Sequence, residues 1–203
     1  MDLTYIYKNY QTFITSDEHY GHLRIISLAK RPFTTLEQMR DCIIENHNKK
    51  VPKDGFTIHV GDMFWESVGL DGAFTILEAL NGIHGFLFGN HDELIASSCV
   101  LQEQFEFVIG SNMAGGSAII FLSQKKPLTL NHFSQRTWHK SHAGGLHVFG
   151  HSHNGLKTLG KSFDIGVDGN NFYPWAIEEI EQKAETLPQH HIIKDDQDTV
   201  LDI

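Results

Sequence analysis

Short runs of β-branched and aromatic residues recur along this chain, and one after another they stop at Gly, Asp, Asn or His. Residues 12–16 run into Asp17-Glu18-His19, 56–60 into Gly61-Asp62, and 83–88 into Gly89-Asn90-His91-Asp92. Later, 128–131 stops at His132, and 146–149 at Gly150-His151-Ser152-His153. Further strands are expected over 105–109, 117–122 and 162–167. Between several of these runs the apolar spacing changes to the helical period, which predicts helices over 22–30, 35–49, 73–80 and 175–183. The second of these opens on Thr34-Thr35-Leu36-Glu37, a capping-box pattern, and repeats Leu36, Met39, Ile43 and His47 on one face. Strands alternating with helices predict an α/β (α+β) domain whose strand-end loops collect the polar residues.

Composition narrows the class. With 203 residues and 40% apolar side chains, the chain can bury one sizeable core. The expected organisation is a single domain over 1–183 followed by a polar, acidic tail over 184–203, with an edge strand at its end. No run is long and apolar enough for a membrane span and no signal-peptide pattern opens the chain, so a soluble, cytoplasmic protein with no membrane partner is expected. Two cysteines, Cys42 and Cys99, read as reduced thiols rather than a disulfide framework. The net charge of −9 argues against long double-stranded nucleic acid held by phosphate contacts, while leaving a small anionic substrate open.

Fourteen histidines are the unusual count. Imidazole titrates near neutral pH and ligates zinc-like metals. The strand ends offer Asp17, His19, Asp62, Asn90, His132, His151 and His153, a set of two carboxylates, one amide and four imidazoles. In open α/β sheets the carboxyl ends of strands share a rim, so residues this far apart in sequence can meet there. Mixed oxygen and nitrogen ligands suit manganese, iron, zinc or nickel better than magnesium or calcium. Seven ligands are too many for one tetrahedral ion and fit two divalent metal ions sharing a carboxylate, with Asp62 the natural bridge.

These motifs, in this order, resemble the five of the calcineurin-like metallophosphoesterase superfamily (D-x-H, G-D, G-N-H-[D/E], H and G-H-x-H). The stretch from Phe13 to Asp17, with Gly21-His22 and Arg31-Pro32-Phe33, further resembles its small stand-alone bacterial and bacteriophage branch. The resemblance implies a four-layer αββα sandwich, two mixed β-sheets face to face flanked by helices, with the metal site at the strand carboxyl ends. It implies that Asp17, His19 and His153 hold the first metal, Asn90, His132 and His151 the second, and that Asp62 bridges. Manganese is the first expectation, with iron, zinc or nickel as alternatives. His91 is implied to face the substrate as the catalytic general acid while metal-bound hydroxide attacks a phosphodiester in a small nucleotide-like substrate. A phosphomonoesterase, a nuclease acting on short single-stranded ends, and a non-catalytic scaffold of the same fold are the alternatives. The sequence departs from the protein phosphatases of the superfamily, because Asp62 is followed by Met63-Phe64-Trp65-Glu66.

Around this set, His22 and Arg31 are the expected substrate contacts, with Arg136 a second candidate for a phosphate clamp. Asp168 is a candidate support for a ligand histidine, and Glu66 or Asp92 for orienting His91. Phe64 and Trp65 are placed to stack on a ring or to pack in the core. His139, His142 and His147 compete with His132 for its place. His47 and His59 read as structural, and His190-His191 carry no role.

Overall fold

The computed structural model describes residues 1–189; the far end of the expected tail, with its edge strand and His190-His191, lies outside them. In chain order the elements are α1 (Thr4–Asn9), β1 (Thr12–Thr15), α2 (Leu23–Leu28), α3 (Leu36–Lys50), β2 (Phe56–Val60), α4 (Gly69–Ala79) and β3 (Ile83–Leu87). They continue with α5 (Glu93–Ala96), α6 (Cys99–Gln102), β4 (Val108–Ile109), β5 (Ser117–Ser123) and β6 (Lys126–Asn131). The last are β7 (Leu146–Phe149), β8 (Ser162–Asp164), β9 (Trp175–Ala176) and α7 (Ile177–Glu185). No helix among the described residues is long and apolar enough to cross a membrane.

The strands form two mixed sheets, as an α/β chain of this pattern is expected to do. One has the order β4-β3-β2-β1-β9, with β1 to β4 parallel and β9 antiparallel on the far edge. The other has the order β5-β6-β7-β8, antiparallel only between β5 and β6. Strands β1 and β2 are buried on both faces, so they read as unbroken runs rather than alternating ones. Alternate residues then serve two cores. Ile14, Phe56, Ile58, Val60 and Leu87 meet Ile120, Leu128, Leu130 and Val148 of the other sheet. On the opposite face, Phe86 and Phe88 pack with Met39 and Ile43 of α3 and Ala73 and Ile76 of α4. Each such aliphatic side chain contributes roughly 1.5–3 kcal/mol by leaving water.

Several boundaries differ from expectation for identifiable reasons. Helix α3 is capped by Thr35, whose hydroxyl accepts from the Gln38 N–H, while Gln38 Oε1 accepts from Thr34; the box is shifted one residue from the expected pattern. Helix α4 begins at Gly69, before the expected 73, because a 3-10 turn over Glu66–Val68 leads into it. The expected strand over 105–109 pairs only at Val108–Ile109. The expected helix over 175–183 opens as β9, then coils as α7 to Glu185 with Ala184 in the core, past the expected domain end.

Candidate metal centre

Parallel β1, β2 and β3 bring Asp17, Asp62 and the Gly89–Asp92 loop to one rim, and parallel β6 and β7 deliver His132 and His151. The two rims are tied together by hydrogen bonds. The His151 N–H donates to Asp17 Oδ1 at 2.9 Å, and the Val167 N–H to the Ser16 carbonyl at 3.0 Å. Asp17, His19, Asp62, His151 and His153 all adopt positive φ, between 47° and 64°. Such a conformation strains residues other than glycine, and it concentrates here at the residues that converge.

Two groups result. Asp17, His19 and His153 each offer a ligand atom within 4.8 Å of the others, and so do Asp62, His132 and His151. Asp62 Oδ2 stands between the groups, 3.6 Å from His19 Nε2 and 3.5 Å from His132 Nε2. Asn90 joins the second, its Oδ1 lying 3.1 Å from His132 Nε2. His132 Nδ1 lies 2.8 Å from the Val60 carbonyl, which places a proton on Nδ1 and turns Nε2 toward Asp62. His153 Nδ1 is held in the same way by Asp168 Oδ2 at 2.8 Å. The His19 Nε2 atom is buried and lacks a hydrogen-bond partner. A buried nitrogen facing a carboxylate from just beyond hydrogen-bond distance is what a cation ligand requires, and the donor set is the one expected of borderline metals.

Electrostatics mark the same atoms. Burial pushes the Asp17 carboxyl up to about 7, against the pull of His132 and His153. Burial also opposes ionisation of Asp62, but the His132 hydrogen bond and the nearby imidazoles outweigh it and hold that carboxyl well below its usual range. In His132, burial is likewise outweighed by Asp62 and Asp17, and the ring rises to about 9.

The site opens on a cavity of about 440 Å³ lined by His19, His22, Asp62, His91, His151 and His153, among others. His91 is placed by its own N–H, which donates to Asp62 Oδ1 at 2.9 Å. His22 also borders the cavity, stacked on Trp65 at 3.7 Å with the rings 5° from parallel. Phe64 takes the core alternative, against Tyr20.

No family model matches the chain. Over 81 residues, 40% of its length, it is 35% identical to the uncharacterized protein MJ1445 of Methanocaldococcus jannaschii. That match covers 46% of the relative, so the chain spans about half the length of the curated protein it resembles. Among solved structures it is similar to the protein of unknown function AQ665 from Aquifex aeolicus, with a TM-score of 0.62 at 21% identity. The likeness covers 85% of this chain and 98% of that one, and it establishes a shared fold.

Not every expected residue reaches the site. Arg31, expected to clamp substrate, is a correction: its side chain is wholly buried and its donors are consumed. Nε and Nη2 fork onto Asp168 at 2.8 Å each, Nη1 donates to the Glu18 carbonyl and Nη2 to the Asp17 carbonyl. The guanidinium therefore braces the Asp17–His19 turn from behind. Arg136 is exposed and does not line the cavity. Asp92 does not orient His91; its carboxylate accepts the N–H groups of Asp62, Met63 and Gly89, locking two loops together. Of the rivals to His132, His147 bonds Ser162 beneath Trp138 on the outer face of β7, away from the cluster.

Two supports carry no local signature. Glu18, between two of the converging residues, is buried with Oε1 2.7 Å from His59 Nδ1, and His59 Nε2 lies 3.1 Å from His84 Nδ1. Asp164 braces the last loop, accepting from Ser152 Oγ and from the N–H groups of Asn154 and Gly166. The available signals were His59 and Asp164, polar residues inside strands otherwise expected to be apolar.

Proposed function

We propose that this protein is a dinuclear-metal-dependent phosphoesterase of the calcineurin-like metallophosphoesterase superfamily, hydrolysing a phosphodiester in a small nucleotide-like substrate. One observation carries the reading: a single oxygen of Asp62 lies about equally far from an imidazole nitrogen of each of two ligand groups. A carboxylate so placed is what two ions sharing a bridge need. Asp17, His19 and His153 would hold the first ion, Asn90, His132 and His151 the second, with Asp62 common to both. When bound, divalent ions such as manganese, iron, zinc or nickel acidify water and polarise a phosphoryl oxygen. The finer fold reading, a four-layer αββα sandwich with the site at strand carboxyl ends, belongs to the same proposal, as does a cytoplasmic location.

The chain's own residues supply the rest. His153 and His132 keep their tautomers through Asp168 and the Val60 carbonyl, presenting lone pairs to the site. His91, anchored through its backbone to Asp62, donates a proton to the leaving oxygen. Water adds to phosphorus, the bond to the leaving alcohol breaks, and the products are a phosphomonoester and an alcohol. A cavity of about 440 Å³ suits a mononucleotide-sized ligand.

The test is hydrolysis of bis-p-nitrophenyl phosphate against p-nitrophenyl phosphate with added Mn²⁺. Asp62→Asn and His91→Ala are each expected to lower turnover at least about 100-fold, in line with the loss of a preorganised charge or a positioned acid. Full turnover in both variants would refute the mechanism. A preference for the monoester would reassign the enzyme as a phosphomonoesterase.

A further inference from the structure

His91 borders two cavities. One is the site just described; the other, of about 200 Å³, is lined by His91, Trp65, Glu66 and Glu93. If His91 protonates the leaving oxygen, the phosphoryl group lies on the metal side of its ring and the departing alcohol lies on the other. We infer that this second cavity is the leaving-group subsite, and that it takes a neutral nucleoside whose hydroxyls donate to two carboxylates, while rejecting a leaving group that carries another phosphate. The inference rests on the phosphoesterase reading and extends it to one side of the substrate.

Three features of the chain support it. Trp65 offers a fixed wall: its ring is stacked on His22 with its centroid 5.1 Å from that of His91, and its backbone N–H donates to the Tyr20 carbonyl at 2.9 Å. Aromatic walls of this kind bind sugars and bases through their flat faces. Glu66 opens the 3-10 turn after Trp65 and Glu93 opens α5, so both carboxylates are set on short helical turns at the mouth. Both are exposed, and neither forms an ion pair among the described residues. Unpaired carboxylates accept hydroxyl hydrogen bonds and repel a further anion. The metal side, by contrast, gathers imidazoles and would gather cations, so the two sides of His91 select opposite charge.

The experiment compares kcat/KM for a dinucleoside monophosphate with kcat/KM for the same compound bearing one more phosphate at its 3′ or its 5′ end, in Mn²⁺-loaded protein. The wild-type chain is expected to favour the uncharged-end substrate by about tenfold or more over at least one isomer at low salt. Glu66→Gln/Glu93→Gln, which keeps shape and removes charge, is expected to narrow that ratio to about twofold. Rising ionic strength should narrow it in the wild type, since exposed charges are screened within a Debye length of about 10 Å at 0.1 M. Trp65→Ala is expected to raise KM for the dinucleoside about five- to tenfold. An unchanged ratio in the double variant, with bis-p-nitrophenyl phosphate still hydrolysed, overturns the subsite and leaves the phosphoesterase reading standing. Absence of turnover on every ester overturns both.

Discussion

Asp168 illustrates how much of the site is built by residues that would touch neither metal nor substrate. It accepts from both Arg31 and His153, and although burial raises its pKa, those two partners outweigh burial and hold the carboxyl below its usual value. Asp168→Asn keeps the shape, weakens the grip on the His153 ring and leaves the Arg31 guanidinium with reduced compensation. Mn²⁺ affinity is expected to fall about 10- to 100-fold, measured by calorimetric titration. Unchanged affinity would mean that the ring is fixed by packing alone, including its stack on His19. The converging residues themselves were legible because each follows a strand within four positions. Arg31 was misjudged because its pairing with Asp168, 137 positions away, leaves no local pattern; an arginine before proline reads as surface until the partner is seen.

At the scale of elements, the turns after the parallel strands are tighter than their sequences announce. A Cβ added at Gly89 would lie 2.2 Å from Asp62 Oδ1 and 2.8 Å from the Asp62 backbone nitrogen, and backbone cannot yield cheaply there. Gly89→Ala is therefore expected to cost about 1–3 kcal/mol in denaturant unfolding and to reduce activity far more than that loss implies, because the displaced group is the carboxylate proposed to serve both ions. A variant with wild-type activity would show that the loop can shift without moving Asp62. Strands β2, β3 and β7 and helix α3 were readable because their length and period are unambiguous. Helices α5 and α6, four residues each, are too short to show a period, and α1 carries a single buried residue, Ile6, so its apolar face is too narrow to detect.

Taken whole, the molecule buries histidines that carry no part of the proposed chemistry, and this sets its response to acid. Burial depresses His147 to about 3, so between pH 6.5 and 3 the unfolded chain binds a proton at this position that the folded chain does not. Stability on this account rises with pH and is lost as pH falls through that window. Asp92, pushed up to about 7 by burial and by Asp62, works in the opposite sense, so the effect is best read as a difference. His147→Gln should flatten the dependence of unfolding free energy on pH between 6 and 4 by up to about 1.4 kcal/mol per pH unit. Parallel curves for the two proteins would place the acid sensitivity elsewhere.

The two sheets share a core but separate hydrogen-bond ladders, and the converging residues are divided between them. Asp17, His19, Asp62 and Asn90 follow strands of one sheet, whereas His132, His151 and His153 follow strands of the other. Any sliding of one sheet over the other would pull the ligand groups apart, so the centre doubles as a gauge of that seam. An ion bridging it would act as a rivet: loading would slow the breathing of the whole interface, and a mutation deep between the sheets could silence the protein without touching the rim.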